Sequence, residues 1–371
     1  MIKLLEKAIE ILNVFKSNGY NAYIVGGFVR DFILGKESTD IDISTNATPK
    51  DIQSLFNEVK LQSEQYGSVN IIYKKCNFEV TTFRMELEYK DNRFPSKIVY
   101  TDSLLIDLKR RDFTMNTLCM DENKEIIDIL NVKEDINNHI IKSVGNADNR
   151  LREDALRILR AIRFATILDF DIDPELQDSI FRNKYLLKDL SFYRKKQELN
   201  KILSSENAVK GIKLLKDFGL DEVLNITIPE KVIKTNDPLG MWVQLKPSEE
   251  YPFTRFEKDY IKSINNVISN KIIDDLELYY NGNYVCYIAA QILGEDAVSV
   301  YNRYDELPIT KQSDIKISRK DIIDLLELED KSLSKLIINE IEEKIVKKEL
   351  ENDKDILENY LINNYKKDII S

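Results

Sequence analysis

The hydrophobic period of this chain changes near residue 148, and that change limits the fold more than any other feature. Before it, apolar residues alternate with polar ones in "TDIDIST" and "FEVTTFR", and "NAYIV" reads as a further strand. After it, "REDALRILRAIRFATIL" and most of the remaining chain repeat at helical spacing. At 371 residues the chain is also too long for one ordinary domain. The expected fold class is an α+β head, a small mixed sheet with helices, followed by an all-helical remainder.

Local signals fill in this outline. "FVRDFIL" reads as a short helix closed by Gly35, and Thr48-Pro49 as an N-cap and N1 proline before "KDIQSLFN". "GSVNIIYKK" and "FEVTTFR" flank Cys76-Asn77 as a hairpin. Residues 86–102 are polar, hold Pro95 and read as a mobile loop. "REDALRILRAIRFATIL" reads as one amphipathic helix, and the stretch after Ile317 as two or three more, with Ser318 and Asp321 as a capping box. The opening "MIKLLEKAIEILNVF" is expected to be an amphipathic helix rather than a signal peptide. No apolar run reaches the roughly 18 residues of a membrane span. Trp242 and the tyrosines around Tyr279–Tyr287 read as core.

Three widely spaced cysteines, Cys76, Cys119 and Cys286, fit a reducing cytoplasm and give no disulfide framework or cysteine zinc site. One histidine, His139, excludes multi-histidine metal chemistry. A net charge of −10 speaks against a non-specific nucleic-acid binder, unless a local basic groove sits on the acidic whole.

Asp40 and Asp42 carry the first chemical signal. Alternation puts both on one face of the expected strand, with Ile41 and Ile43 pointing into the core. Two unpaired carboxylates roughly 6–7 Å apart repel, by strand geometry. A divalent cation such as Mg²⁺ removes that repulsion and accepts phosphate oxygens as well. A bare D-x-D is also the solvated face of an edge strand. Glu79, in a later strand, is a third carboxylate or half of a cross-strand ion pair. Gly26-Gly27 stands at a strand-to-helix turn, where backbone N–H groups approach a phosphate. In "KRRDFTMNTL", Arg110 and Arg111 can grip phosphate or ribose oxygens, and Asp112 can accept from a ribose hydroxyl. The same residues also read as a surface ion-pair cluster. Glu153, Asp154 and Arg157 stand at i, i+1 and i+4, the spacing of plain helix salt bridges. An Asp–Arg pair also suits cytosine and adenine, which present an exocyclic amine beside a ring acceptor. Arg150, Arg152, Arg160 and Arg163 make this segment locally basic.

Taken in order, "GGFVRDFILGKESTDIDIST", "EVTTFR", "RRDFTMNTL" and "REDALRILRAIRFA" closely resemble the class II tRNA nucleotidyltransferases, the bacterial-type CCA-adding enzymes of the polymerase β superfamily. The resemblance reaches the tail, through "ISRKDIIDLLEL" and "VKKELENDKDIL". It implies a nucleotidyltransferase head (1–147), a neck (148–205), a helical body (206–290) and a helical tail that binds tRNA (291–371). It implies transfer of CMP and AMP from CTP and ATP to the tRNA acceptor arm, with two Mg²⁺ ions and release of pyrophosphate. By motif match Asp40 and Asp42 hold metal, with Glu79 as a further candidate. Gly26, Gly27 and Arg30 face the triphosphate, and Arg111 and Asp112 the ribose. Glu153 orients Asp154 and Arg157, which read the base. Asp128 belongs to a hinge. Asp91 and Arg93 lie in "DNRFP", a flexible loop tied to A addition. The chain departs from the family pattern at Phe94, at Tyr193 in "SFYRKKQE", at Arg319 and in "ILNV" after Asp128.

Adding the full CCA is thus the expected activity, in the cytoplasm. An A-adding specialist, a poly(A) polymerase and a non-catalytic tRNA-binding module are the alternatives. The absence of an Arg pair before "EVTTFR" favours the tRNA branch over the poly(A) polymerases. Nothing points to a membrane or to a protein partner.

Overall fold

The computed structural model describes residues 2–63, 67–90 and 94–366. The chain divides into two compact units, Met1–Ile226 and Thr227–Ser371.

The first unit opens with the helix Ile2–Ser17, which buries Leu5, Ala8, Ile11, Leu12 and Phe15. Its strands are β1 (Ala22–Val25), β2 (Asp42–Thr45), β3 (Val59–Ser63), β4 (Ser68–Tyr73), β5 (Cys76–Thr82), β6 (Arg84–Lys90), β7 (Phe94–Tyr100), β8 (Cys119–Met120) and β9 (Ile126–Ile127), with two short ones, β10 (Ile140–Ile141) and β11 (Asp171–Ile172), beyond them. Seven form one sheet in the order β3-β4-β5-β2-β1-β8-β9. It is mixed, because β2 and β5 run parallel while β1–β2 and β4–β5 are antiparallel. Ile24, Ile43, Val69, Ile71, Phe78 and Val80 are buried along it. The N-cap expected at Thr48 is present, and Asp51 completes a capping box.

Three local expectations need correction. The β4–β5 turn falls at Lys74-Lys75, two residues before Cys76-Asn77. Both lysines take positive φ (47° and 64°), the geometry of a tight hairpin turn usually given to Asn-Gly. Lys74 pairs there with Glu10, and its carbonyl accepts from Lys7 Nζ at 3.1 Å. Second, residues 86–102 are not irregular throughout: β6 and β7 pair as an antiparallel ribbon, with Arg84 opposite Tyr100. Asp91 and Arg93 lie outside the described residues. Third, "REDALRILRAIRFATIL" is not one helix. The helix Ala147–Glu153 ends at Asp154, whose φ/ψ of −145°/102° is extended, and a new helix runs Leu156–Leu168.

The second unit is helical. The helices Pro238–Leu245, Arg255–Asn270, Asp275–Leu293, Arg319–Leu326, Leu333–Val346 and Lys354–Tyr365 supply its framework. Ile264, Val267, Cys286, Ile322, Ile341 and Leu357 are among the residues of its core. Ser318 and Asp321 form the expected capping box. Trp242 is buried against Tyr251 and Phe253, whereas Tyr280 is exposed. Among the described residues no helix is long and apolar enough to cross a membrane.

Candidate active site

Strand register places the acidic end of the site. Val25, Asp42 and Glu79 are neighbours across β1, β2 and β5. After Val25 the chain turns at Gly26, with φ/ψ of 74°/−136°, into the helix Gly27–Ile33. That backbone is open to glycine and strained for other residues. A Cβ on Gly26 would stand 3.5 Å from Arg111 Nη1 and 3.8 Å from Asp42 Oδ2. The turn thus brings bare backbone against both charges.

The strand begins at Asp42, not before it. β1 has left the sheet at Gly26, so Asp40 has no partner on that side; it is exposed and does not line the cleft. Among the described residues Asp40, Asp42 and Glu79 form no hydrogen bond or ion pair through their carboxylates. Partial desolvation in the cleft, then the charges of Glu79 and Asp40, push Asp42 from 3.8 to about 6, against the pull of Arg111. Among the described residues no three His, Cys, Asp or Glu side chains are gathered into a metal cage. The donor set is that of a hard cation held by one or two carboxylates and completed by a phosphate-bearing substrate.

A cleft of about 660 Å³ opens over this end and joins most of the expected residues. Gly26, Gly27, Arg30, Asp42, Glu79, Arg111, Asp112, Asp154 and Arg157 all line it. Glu153 stands behind, its Oε2 accepting from Arg157 Nη1 at 3.0 Å. Arg157 Nη1 also donates to the Arg150 carbonyl and Nη2 to that of Arg110, at 3.0 and 3.1 Å. Three of its five N–H donors are so used, and two have no partner among the described residues. The helix break turns Asp154 into the cleft. Its Oδ1 accepts from Leu156 N at 3.0 Å, and burial raises its pKa against the pull of Arg157. Asp128 lies elsewhere and caps a turn, accepting from Val132 N and Lys133 N at 3.0 and 2.9 Å.

Several lining residues escape a reading of the sequence. Arg84 and Glu86 come from β6, and Glu86 Oε1 accepts from Arg84 Nε at 3.0 Å and Arg110 Nη1 at 3.1 Å. Beneath them Asp107 is fully buried. Burial alone would raise its pKa, but Arg110 and Arg111 draw it below the usual range. Arg111 Nη2 donates to Ser44 Oγ at 2.9 Å and to Asp107 Oδ2 at 3.3 Å, while its buried Nε has no hydrogen-bond partner among the described residues. A signal for Arg84 exists, since it closes "EVTTFR", but nothing in the spacing ties it to Arg110.

The second unit holds a separate cleft of about 730 Å³. Lys258, Ile261, Lys262 and Asn265 stand at i, i+3, i+4 and i+7 on one helix face and line it together with Lys246, Pro247, Ser248, Glu249 and Phe253. The ammonium groups of Lys246, Lys258 and Lys262 form no hydrogen bond or ion pair among the described residues.

A mixed-sheet head with carboxylates beside a glycine turn and an arginine-lined cleft defines a nucleotidyltransferase of the polymerase β type. Residues 22–142 match the poly(A) polymerase head domain, 169–230 the RNA- and SrmB-binding region of polymerase A, and 250–361 the second domain of tRNA nucleotidyltransferases. The chain is 33% identical to the CCA-adding enzyme of Ligilactobacillus salivarius over 95% of both chains. It is 34% identical to that of Bacillus pumilus, over 95% of this chain and 96% of the other. The crystal structure of the Bacillus stearothermophilus CCA-adding enzyme in complex with CTP superposes with a TM-score of 0.85, at 27% identity over 98% of both chains. The chain belongs to the family of CCA-adding enzymes, the bacterial-type tRNA nucleotidyltransferases.

Proposed function

We propose that this enzyme adds CCA to the 3′ end of tRNA without a template, using CTP and ATP. One observation carries the reading: a single cleft holds unpartnered carboxylates at one end and Asp154 with Arg157 at the other. In the reaction the RNA 3′-hydroxyl oxygen bonds to the α-phosphorus. The bond from that phosphorus to the bridging oxygen breaks, pyrophosphate leaves, and the hydroxyl proton passes to solvent.

Gly26, Gly27 and Arg30 bind the triphosphate, through the backbone that lacks a Cβ at the turn and a guanidinium at its side. Arg111 faces the ribose. Asp154 accepts from the exocyclic amine of cytosine or adenine, while the two free donors of Arg157 reach the neighbouring ring acceptor. Uracil and guanine present a carbonyl where the amine should be, so they leave Asp154 facing an oxygen. Asp40 and Asp42 would hold Mg²⁺, two ions by family pattern, with Glu79 beside them. Bound there, Mg²⁺ supplies charge neutralisation at the phosphates and a lowered pKa for the 3′-hydroxyl. Asp128 serves as a hinge residue, and β6–β7 with Asp91 and Arg93 as the element for A addition. The lysine cleft of the second unit takes RNA phosphates. The three free cysteines support a reducing, cytoplasmic setting.

The test uses purified protein, Mg²⁺ and three tRNA transcripts, ending at the discriminator base, after the first C, and after CC. Each is incubated with CTP, ATP or both, and products are resolved to one nucleotide. Extension of all three to CCA is expected. Extension of the CC-ended transcript alone would make this an A-adding specialist, and no extension would reduce it to a tRNA-binding module.

A further inference from the structure

A second cleft of the first unit, of about 470 Å³, backs onto the active site. Lys109 lines it, and the next residue, Arg110, lines the active-site cleft. Arg150 Nη2 donates to the Lys109 carbonyl and Arg157 Nη2 to that of Arg110, so this stretch of backbone is the wall between the two. No residue lines both clefts.

The lining of the second cleft includes three cations, Lys109, Lys142 and Arg150, against one carboxylate, Asp135. Positive charge is thus in surplus here, in a chain whose net charge is −10. Lys109 and Lys142 are exposed, and their ammonium groups form no hydrogen bond or ion pair among the described residues. Arg150 is partly engaged: Nε donates to the Val144 carbonyl at 3.1 Å, Nη1 to Glu153 Oε2 at 2.5 Å and Nη2 to Lys109. Two of its five N–H groups have no partner among the described residues. Ser143 lines the cleft and is only 6% exposed, yet its hydroxyl has no hydrogen-bond partner among the described residues. Thr114, also on the lining, has a buried Oγ1 that lacks one too. Buried hydroxyls are ordinarily satisfied.

The backbone under these groups is fixed. Phe113 pairs with Ser143, Thr114 N donates to the Lys142 carbonyl at 2.9 Å, and Val144 N donates to that of Asp112 at 3.2 Å. Lys142 and Ser143 are therefore anchored before a ligand arrives, which lowers the cost of binding. Ammonium, guanidinium and hydroxyl donors together suit an oxyanion. A carboxylate has two oxygens and one charge, and would leave part of this set unused. A phosphate group brings about two charges and three acceptor oxygens.

We propose that this cleft is a second phosphate-binding site, distinct from the triphosphate site. Lys109 and Lys142 supply charge, and Ser143 and Arg150 supply directed hydrogen bonds. A free phosphate and a phosphodiester of bound RNA present the same chemistry to it, and the experiment separates them.

Calorimetry follows inorganic phosphate added to the full-length enzyme saturated with CTP and Mg²⁺, so the active site is filled and no RNA is needed. The variants are the Lys109→Gln/Lys142→Gln pair and the Lys109→Arg/Lys142→Arg pair. Both side chains are exposed and unpaired among the described residues, so neither pair removes a contact that holds the fold. The parent should bind one phosphate, the Gln pair at least about tenfold more weakly, and the Arg pair nearly as the parent does. Filter binding of a tRNA transcript across salt is the second arm. If the ligand is an RNA phosphodiester, the parent takes up no free phosphate, and the Gln pair's slope of log K against log salt is less steep by about 1. A Gln pair that matches the parent in both arms would overturn the proposal. So would an equal loss in the Arg pair, because charge would then not be what binds.

Discussion

Asp42 is where charge, backbone and chemistry meet most closely. Desolvation in the cleft and the nearby charges of Glu79 and Asp40 push its carboxyl up to about 6 from the ordinary 3.8. The folded state therefore binds more protons than the unfolded chain between those values. Stability from this group falls as pH rises from about 4 to 6, and the full cost is present above 6. A cation bound at the ionised carboxylate offsets that cost. Mg²⁺ should accordingly raise the melting temperature more at about pH 7.5 than at about pH 5. Asp42→Asn should raise the metal-free melting temperature above neutral pH, remove most of the Mg²⁺ response and abolish incorporation. A calorimetric Mg²⁺ response that is equal at both pH values would contradict this account. Gly26 makes a second test. Alanine there must adopt φ 74°, ψ −136°, which costs about 1–3 kcal/mol, and it fills the space beside Arg111 and Asp42. Gly26→Ala should lower stability by that amount in urea titration and raise KM for both nucleotides.

Among the elements, legibility in the sequence depends on whether the signal is local. The N-cap at Thr48 and the capping box of Ser318 and Asp321 involve residues close in sequence and are plain in the string. The β4–β5 hairpin is plain too, but its turn uses two lysines, and Lys74 is held by Glu10 and Lys7 on a distant helix. The β6–β7 ribbon reads as a loop because the partners that fix its base, Asp107 and Arg110, are remote in sequence. The break at Asp154 is hidden, because helix-forming residues flank it on both sides and helical spacing continues across it. Glu153 and Arg157 still pair, so the i, i+4 reading survives while Asp154 turns away from the helix. The base of the ribbon also yields a test. Glu86 bridges Arg84 and Arg110, and removing its charge takes away the carboxylate between two guanidiniums, leaving Asp107 to pair with Arg110. Glu86→Ala should therefore loosen β6–β7 and slow addition of A to a CC-ended transcript at least tenfold. Addition of C to the shorter transcripts should slow less. Equal slowing of C and A on a sequencing gel would tie Glu86 to the common chemistry instead.

For the molecule as a whole, a net charge of −10 stands against binding of a polyanion. Local arrangement reverses the sign where it matters. In the first unit the arginines of the active-site cleft are largely neutralised by Asp107, Asp112, Glu86 and Glu153. Paired in this way, they contribute little long-range attraction for a polyanion. In the second unit Lys246, Lys258 and Lys262 are different, since they share a cleft and no carboxylate among the described residues pairs with them. Lysines left unpaired in so acidic a chain are the groups from which phosphates can displace counterions. Each phosphate neutralised contributes about 0.7 to 0.9 to the slope of log K against log salt, depending on single- or double-stranded RNA. Replacing all three by alanine should make tRNA binding less steep in salt by about 2 to 3, with weaker binding at low salt. Because none of the three lines the active-site cleft, kcat at saturating tRNA should hold while KM for tRNA rises. Filter binding of a tRNA transcript from about 50 to about 300 mM KCl, the range where such slopes are measured, reads the slope directly. A triple variant with the parent's slope would mean that the RNA phosphates lie on another face, and the lysine cleft would lose its assignment.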